Sequence, residues 1–217
     1  MKYGMVIDLR RCIGCNACTV ACKQQYGNPP GIFYSHVNIT EVGKYPNARI
    51  TPLPVLCNHC DNPPCVDVCP TGASAKLSNG IVTIDENKCI GCRYCMVACP
   101  YARRYFNWSE PGWQDQVASL NPDVAPRPRG VVEKCTLCHH RIRAALERAR
   151  LDEEPLTDET LHRLPACAQS CPTRAITFGD LADPTSEVAH LAASPRAMRL
   201  LPEAGTRPKV IYLRESK

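Results

Sequence analysis

No stretch of eighteen uncharged apolar residues occurs in this chain, so no membrane-spanning helix is expected from it. The best apolar run, Ile50 to Cys60, is interrupted by Pro52 and Pro54. The opening residues Met1 to Asp8 reach a charge before any apolar region of leader length, and Arg10–Arg11 runs straight into Cys12. No export leader is therefore expected. Neither a G-x-G-x-x-G fingerprint nor a phosphate-binding loop is present, and no nucleophile–base grouping stands out. The chain lacks the equipment for two-electron organic chemistry of its own. Aromatic residues are scarce at 6%. Hydrophobic residues reach 44% of 217, but sixteen of them are cysteine; without these the share falls to about 36%, lean for a packed globule. Twenty prolines and twelve glycines point to many turns and few long elements. Such a chain holds together around something other than hydrocarbon.

The sixteen cysteines fall into four runs with none left over. The first is Cys12, Cys15, Cys18 and Cys22; the second is Cys57, Cys60, Cys65 and Cys69. The third is Cys89, Cys92, Cys95 and Cys99, and the fourth is Cys135, Cys138, Cys167 and Cys171, with 28 residues inserted after Cys138. Cys69, Cys99 and Cys171 are each followed by proline. Ile7–Asp8 through Cys22 aligns with Ile84–Asp85 through Cys99 at an offset of 77, and Cys57 with Cys135 at 78. Both halves also share Cys-Pro-Thr-x-Ala, at Cys69 to Ala73 and Cys171 to Ala175. The chain reads as a duplicated pair of cysteine runs.

Three cysteines at i, i+3 and i+6 on a tight loop can wrap three corners of a cubane. The fourth, before proline, starts a new element and in bacterial ferredoxins serves the neighbouring cluster. Gly14, Ala17 and Gly91 keep these loops thin, so that backbone N–H groups can approach sulfur. Structural zinc uses paired hooks without a third cysteine three residues on, and leaves the prolines unexplained. A disulfide scaffold would call for an export signal. Four 4Fe–4S clusters are the expectation. Each oxidised cluster with its thiolates carries about −2, which takes the formal +5 to about −3. A nucleic-acid partner suggested by the basic composition is accordingly discounted.

These residues resemble the four-cluster iron–sulfur (beta) subunits of the DMSO reductase, polysulfide reductase and respiratory arsenate reductase type. The resemblance rests on Gly4 to Asp8, Pro29-Pro30-Gly31, Cys57 to Cys65, Lys134 to Cys138, Phe178 to Pro184 and Pro202 to Val210, and so covers essentially the whole chain. It implies an α+β fold of two interlocked bacterial-ferredoxin-like modules, short hairpins and helices around clusters, with long loops. Residues 1–56 and 100–182 would form the outer module, 57–99 the inner one, and 183–217 a C-terminal docking tail. It implies four ligand sets: Cys12, Cys15, Cys18 with Cys171; Cys135, Cys138, Cys167 with Cys22; Cys57, Cys60, Cys65 with Cys99; Cys89, Cys92, Cys95 with Cys69. It implies a non-catalytic electron-transfer subunit, between a molybdenum or tungsten bis-pterin catalytic subunit and an integral membrane quinone-reactive anchor. The location would be peripheral to a membrane, with the outer (periplasmic) face favoured over the cytoplasmic one. The alternatives are the same module in a formate dehydrogenase or nickel–iron hydrogenase complex, or a free soluble polyferredoxin. Against the free carrier stand the insertions, the tail and the modest net charge.

Outside the cysteine runs, Ser74 to Ile84 predicts two short strands around an Asn79–Gly80 turn, and Ala175 to Phe178 a further strand. Asn107 to Val131, with Trp108 and Trp113, reads as an extended loop and a candidate docking surface. His139 to Leu164 opens as a helix with an Ile142, Ala145, Leu146, Ala149 stripe, and Thr157 starts a second one. His59, His139 and His140 are expected beside the clusters or at the surface, not as ligands. Lys134, Lys88, Arg11 and Lys23 either offset cluster charge or are solvated, and the sequence leaves both readings open.

Overall fold

The computed structural model describes residues 1–110, 120–125 and 127–215. Its elements are short, as the proline and glycine content demands: small sheets and helices in an α+β mixture. The largest sheet has the order β8-β1-β10-β9. β1 (Tyr3–Asp8) pairs antiparallel with β8 (Ile176–Asp180) and parallel with β10 (Val210–Leu213); β9 (Ala197–Met198) closes the edge. Strands from opposite ends of the chain thus lie side by side.

The side-chain alternation of a strand explains why this sheet can be buried on both faces. Tyr3, Met5, Ile7, Val210 and Tyr212 point into the main core, while Val6, Ile211 and Leu213 pack on the other face with Val188 of α7 (Glu187–Ala192). The segment 183–217, expected as a docking tail, also contributes to this sheet. Its strand β10 is fully buried in the middle of the sheet, because Val210 to Leu213 is an unbroken apolar run that needs cover on two sides.

A second hairpin joins β4 (Ser74–Lys76) to β5 (Val82–Ile84) where the Asn79–Gly80 turn was expected. Its register repeats that of β1 and β8. Asp85 N–H donates to Ala73 O at 2.8 Å, and Asp8 N–H donates to Ala175 O at the same 2.8 Å. The duplication is thus copied down to single hydrogen bonds. Two further ribbons are β2 (Ser35–Val42) with β3 (Arg49–Leu56), and β6 (Tyr105–Phe106) with β7 (Val132–Glu133). The helices are α1 (Ala17–Tyr26), α2 (Pro64–Asp67), α3 (Tyr94–Val97), α4 (His139–Leu151), α5 (Asp158–His162) and α6 (Ala166–Gln169). α1 packs on α6, and α2 on α3. α4 and α5 stand where the periodicity and Thr157 placed them; Thr157 Oγ1 accepts from Thr160 N–H at 3.2 Å. The main core mixes hydrocarbon with Cys18, Cys22, Cys135, Cys138 and Cys167.

Candidate iron–sulfur sites

Four helices bear a cysteine near their start and a second four residues on: Cys18 and Cys22 on α1, Cys65 and Cys69 at α2, Cys95 and Cys99 at α3, Cys167 and Cys171 at α6. Four residues advance a helix by about 6 Å on nearly the same face. One helix can therefore present thiols to two consecutive sites. The thiols that act on one another follow this logic. Cys22 is surrounded by Cys135, Cys138 and Cys167, and Cys18 by Cys12 and Cys171. Cys60 has Cys57, Cys65 and Cys99 as neighbours, and Cys95 has Cys69 and Cys89.

The cysteine loops are bent inward by left-handed backbone at the residue before the second cysteine of each run: Gly14, His59, Gly91 and Leu137, with φ of 71°, 43°, 69° and 53°. For His59 and Leu137 this conformation is unfavourable by about 1–3 kcal/mol, the sort of strain found at functional sites. It turns successive N–H groups toward one side and forms an anion-receiving concavity. The residue three after each Cys-Pro cysteine is left-handed too, at Gly72, Ala102 and Arg174. Backbone N–H groups reach sulfur accordingly: Ser74 to Cys69 at 3.3 Å, Ala175 to Cys171 at 3.3 Å, Leu137 to Cys135 at 3.4 Å and Ala166 to Cys138 at 3.4 Å.

Two small cavities lie in the half of the molecule around β4 and β5. One is lined by Cys57, Cys60, Cys65 and Cys99, the other by Cys69, Cys89, Cys92 and Cys95. Among the described residues, no three His, Cys, Asp or Glu side chains converge as a single ion's ligands would. The cysteines instead ring a volume, which suits a cluster better than one zinc ion. Burial, and then the neighbouring sulfurs, push the thiols of Cys22 and Cys167 well above their ordinary range, and burial takes Cys135 and Cys60 up to about 12. Such thiols would stay protonated alone. A positively charged iron core that takes them as thiolates removes that penalty, so the donor set fits four-iron clusters. At Cys69 burial is outweighed by the N–H of Ser74 and by Thr71 and Ala73, which hold the thiol below its ordinary value.

The flanking residues divide clearly. Lys134 is 2% exposed and donates to the carbonyls of Val82 and Cys135, whereas Arg11 and Lys88 are solvated, Lys88 lying 3.7 Å from Asp85. Lys23 donates to three carbonyls and lies over the Phe33 ring. His59 is fully buried and accepts from Val82 N–H through Nδ1 at 3.0 Å; burial and the nearby Lys134 keep it neutral. His139 and His140 are half-buried, and His140 meets Gln25 at 2.9 Å. Trp108 is exposed against Phe106 and Arg93, while Trp113 lies outside the described residues. Two residues escaped the sequence reading. Thr206, on the segment expected as a docking tail, bonds to the Cys60 sulfur and to Tyr101 at 2.5 Å. Arg104 sits in the wall of both cavities. Nothing in its sequence context, one arginine of a pair, signals burial.

Comparison with known proteins gives the same chemistry. Models described as 4Fe-4S dicluster domains match residues 11–73 and 48–117; the fourth cysteine run lies beyond both. The arsenate respiratory reductase iron–sulfur subunit of Shewanella sp. (strain ANA-3) is 39% identical over 99% of this chain and 97% of its own length. The menaquinone reductase iron–sulfur cluster-binding subunit of Nitratidesulfovibrio vulgaris is 43% identical over 98% of this chain and 89% of its own. A tetrathionate reductase subunit of Salmonella typhimurium is 41% identical, covering 98% and 72%.

Proposed function

Since the chain belongs to the family of iron–sulfur electron-transfer subunits of these reductases and carries 4Fe–4S clusters, four in number by its sixteen cysteines, we propose that it relays single electrons between a molybdenum or tungsten bis-pterin catalytic subunit and a membrane quinone-reactive anchor. The supporting observation is the order in which the sulfurs adjoin. Cys18 neighbours Cys22 and Cys167, Cys135 neighbours Cys57, and Arg104 is shared by the last two cavities. That order supports a row of four sites: Cys12, Cys15, Cys18 and Cys171; then Cys22, Cys135, Cys138 and Cys167; then Cys57, Cys60, Cys65 and Cys99; then Cys69, Cys89, Cys92 and Cys95.

The outer two sites belong, in this reading, to a module made of 1–56 and 100–182, and the inner two to 57–99. The pairing of β1 with β8, like that of β4 with β5, supports the interlocking. A cluster supplies a one-electron carrier when bound. What the chain supplies is a set of thiolates, N–H donors and dry walls that hold each carrier in place.

Both ends of the row are bare. Ile13 and Val20 at the first site, and their repeat counterparts Ile90 and Val97 at the last, are all at least 66% exposed. Uncovered aliphatic side chains at the two termini of a relay suit partner docking there. Among the described residues no helix is long and apolar enough to cross a membrane. We propose a place peripheral to the membrane, on its outer face. The test is the native complex purified without oxygen. About sixteen irons and as many acid-labile sulfides per chain, a large pterin-containing subunit and re-oxidation of the reduced chain by that subunit are expected. Stoichiometric zinc with little iron, in colourless protein, would refute the reading.

A further inference from the structure

Arg104 is 4% exposed, and neither terminal nitrogen of its guanidinium has a hydrogen-bond partner. What faces them is sulfur: Cys65 from one cavity and Cys95 from the other, with Cys57 next. A buried guanidinium left without a carboxylate is costly unless its surroundings are anionic. Its planar fork of donors, which cannot be deprotonated, is built to bridge two acceptors. The duplication gives this residue no copy. Five residues after the last cysteine of each run stand Gly27, Ser74, Arg104 and Ile176. At the first two sites the cations that act on the sulfurs, Lys134 apart, touch one site only, Lys23 on Cys22 and Arg141 on Cys138, and both belong to the second site. Lys134 lies nearer the second and third sites, but its ammonium is engaged by two carbonyls.

On the four-cluster reading above, we propose that Arg104 is a fixed, shared cation that raises the reduction potentials of the third and fourth clusters of the row together and so separates them from the first two. Reduction takes each cluster and its thiolates from about −2 to about −3, and a cation against both favours the added charge at either site. Its place in the common wall makes the bias joint, so one side chain sets two consecutive steps.

The test is an EPR-monitored redox titration of the full chain in its native complex, comparing wild type, Arg104→Gln and Arg104→Lys, with iron counted in each. In Arg104→Gln two of the four couples should move down, with the reduced-to-oxidised ratio at a fixed solution potential falling about tenfold, which is 59 mV for one electron. The other two should move by less than half of that. Arg104→Lys should hold all four near wild type, and iron loss in Arg104→Gln rescued by Arg104→Lys would equally favour the fixed charge. Four unmoved couples in a fully loaded Arg104→Gln chain would overturn the proposal, as would an equal shift of all four or iron loss from both variants. A wild-type chain without about sixteen irons would instead overturn the reading on which the proposal rests.

Discussion

The two halves of the molecule share a local design and differ in what surrounds it. Around β1 and β8, Cys18, Cys22, Cys135, Cys138 and Cys167 are buried in hydrocarbon, under a sheet reinforced by the C-terminal strand β10. Around β4 and β5, Cys69, Cys89, Cys92 and Cys99 are only half-buried, the hairpin has no further strand, and Arg104 stands between the sulfurs. The hydrogen bonds Asp8–Ala175 and Asp85–Ala73 are the same in both. Duplication copied the turn and ligand geometry; dielectric and charge come from what packs around each copy. Burial opposes the extra negative charge of reduction, and a cation favours it. The site around Cys22 is therefore expected to have the lowest potential of the four.

The largest effect should come from removing the iron. The main core has Cys18, Cys22, Cys135, Cys138 and Cys167 as members, so emptying their sites leaves cavities lined by unpaired thiols. The cost should rival the whole net stability of a domain, about 5–15 kcal/mol. Near-UV circular dichroism of chain treated anaerobically with chelator should lose its signal. The β4–β5 half, poorer in hydrocarbon, should lose amide protection first in hydrogen exchange.

Next is ligand crossing. Cys69→Ser should abolish the signal of the Cys89, Cys92, Cys95 site, with about four irons lost or one cluster converted, and spare that of Cys57, Cys60 and Cys65. Cys22→Ser should act likewise on the site of Cys135, Cys138 and Cys167. Site-resolved EPR reads both.

A smaller contrast sets Gly14→Ala against Gly91→Ala. The left-handed backbone penalises alanine by about 1–2 kcal/mol at each. At Gly14 the added carbon meets the movable Ile39 side chain at 3.2 Å, but at Gly91 it would strike the backbone carbonyl of Gly130. Gly91→Ala should thus cost a further ~1–3 kcal/mol, read by denaturant melts of loaded protein.

What could be read in advance was the chemistry that is local in sequence. The four cysteine runs, the Asn79–Gly80 turn, the α4 stripe beginning at buried Ile142 and the Thr157 cap all rest on short-range spacing, the gap between Cys138 and Cys167 apart. Elements that need a distant partner were hidden. Val210 to Leu213 is strand only because β1 lies beside it, and β2 with β3 was missed because Pro52 and Pro54 sit within β3. Those prolines are tolerated in a two-stranded ribbon, where one edge of the strand needs no N–H donors. Arg104 was hidden for the same reason, since only the meeting of α2 and α3 surrounds it with sulfur.

A pH-dependent effect lies where the halves are tied together. Lys209 of the β10 approach donates to Gly80 O of the β4–β5 turn, and burial, partly offset by Asp61, lowers it from 10.5 to about 8. Between about pH 8 and 10.5 the folded chain then binds fewer protons here than the unfolded one. Stability should rise with pH across that window, the mark of a base whose charged form is disfavoured by folding. Lys209→Met should flatten this component of the pH–stability curve, measured as the difference between the two proteins.

The central claim is that thiols from opposite ends of the chain complete each other's sites. The direct measurement is a crystal structure of the iron-loaded chain with data collected at the iron absorption edge. Expected are four separate iron groups in a row, with Cys22 bound beside Cys135, Cys138 and Cys167, and Cys171 beside Cys12, Cys15 and Cys18. Iron at Cys22 shared instead with Cys57, Cys60 and Cys65 would contradict it.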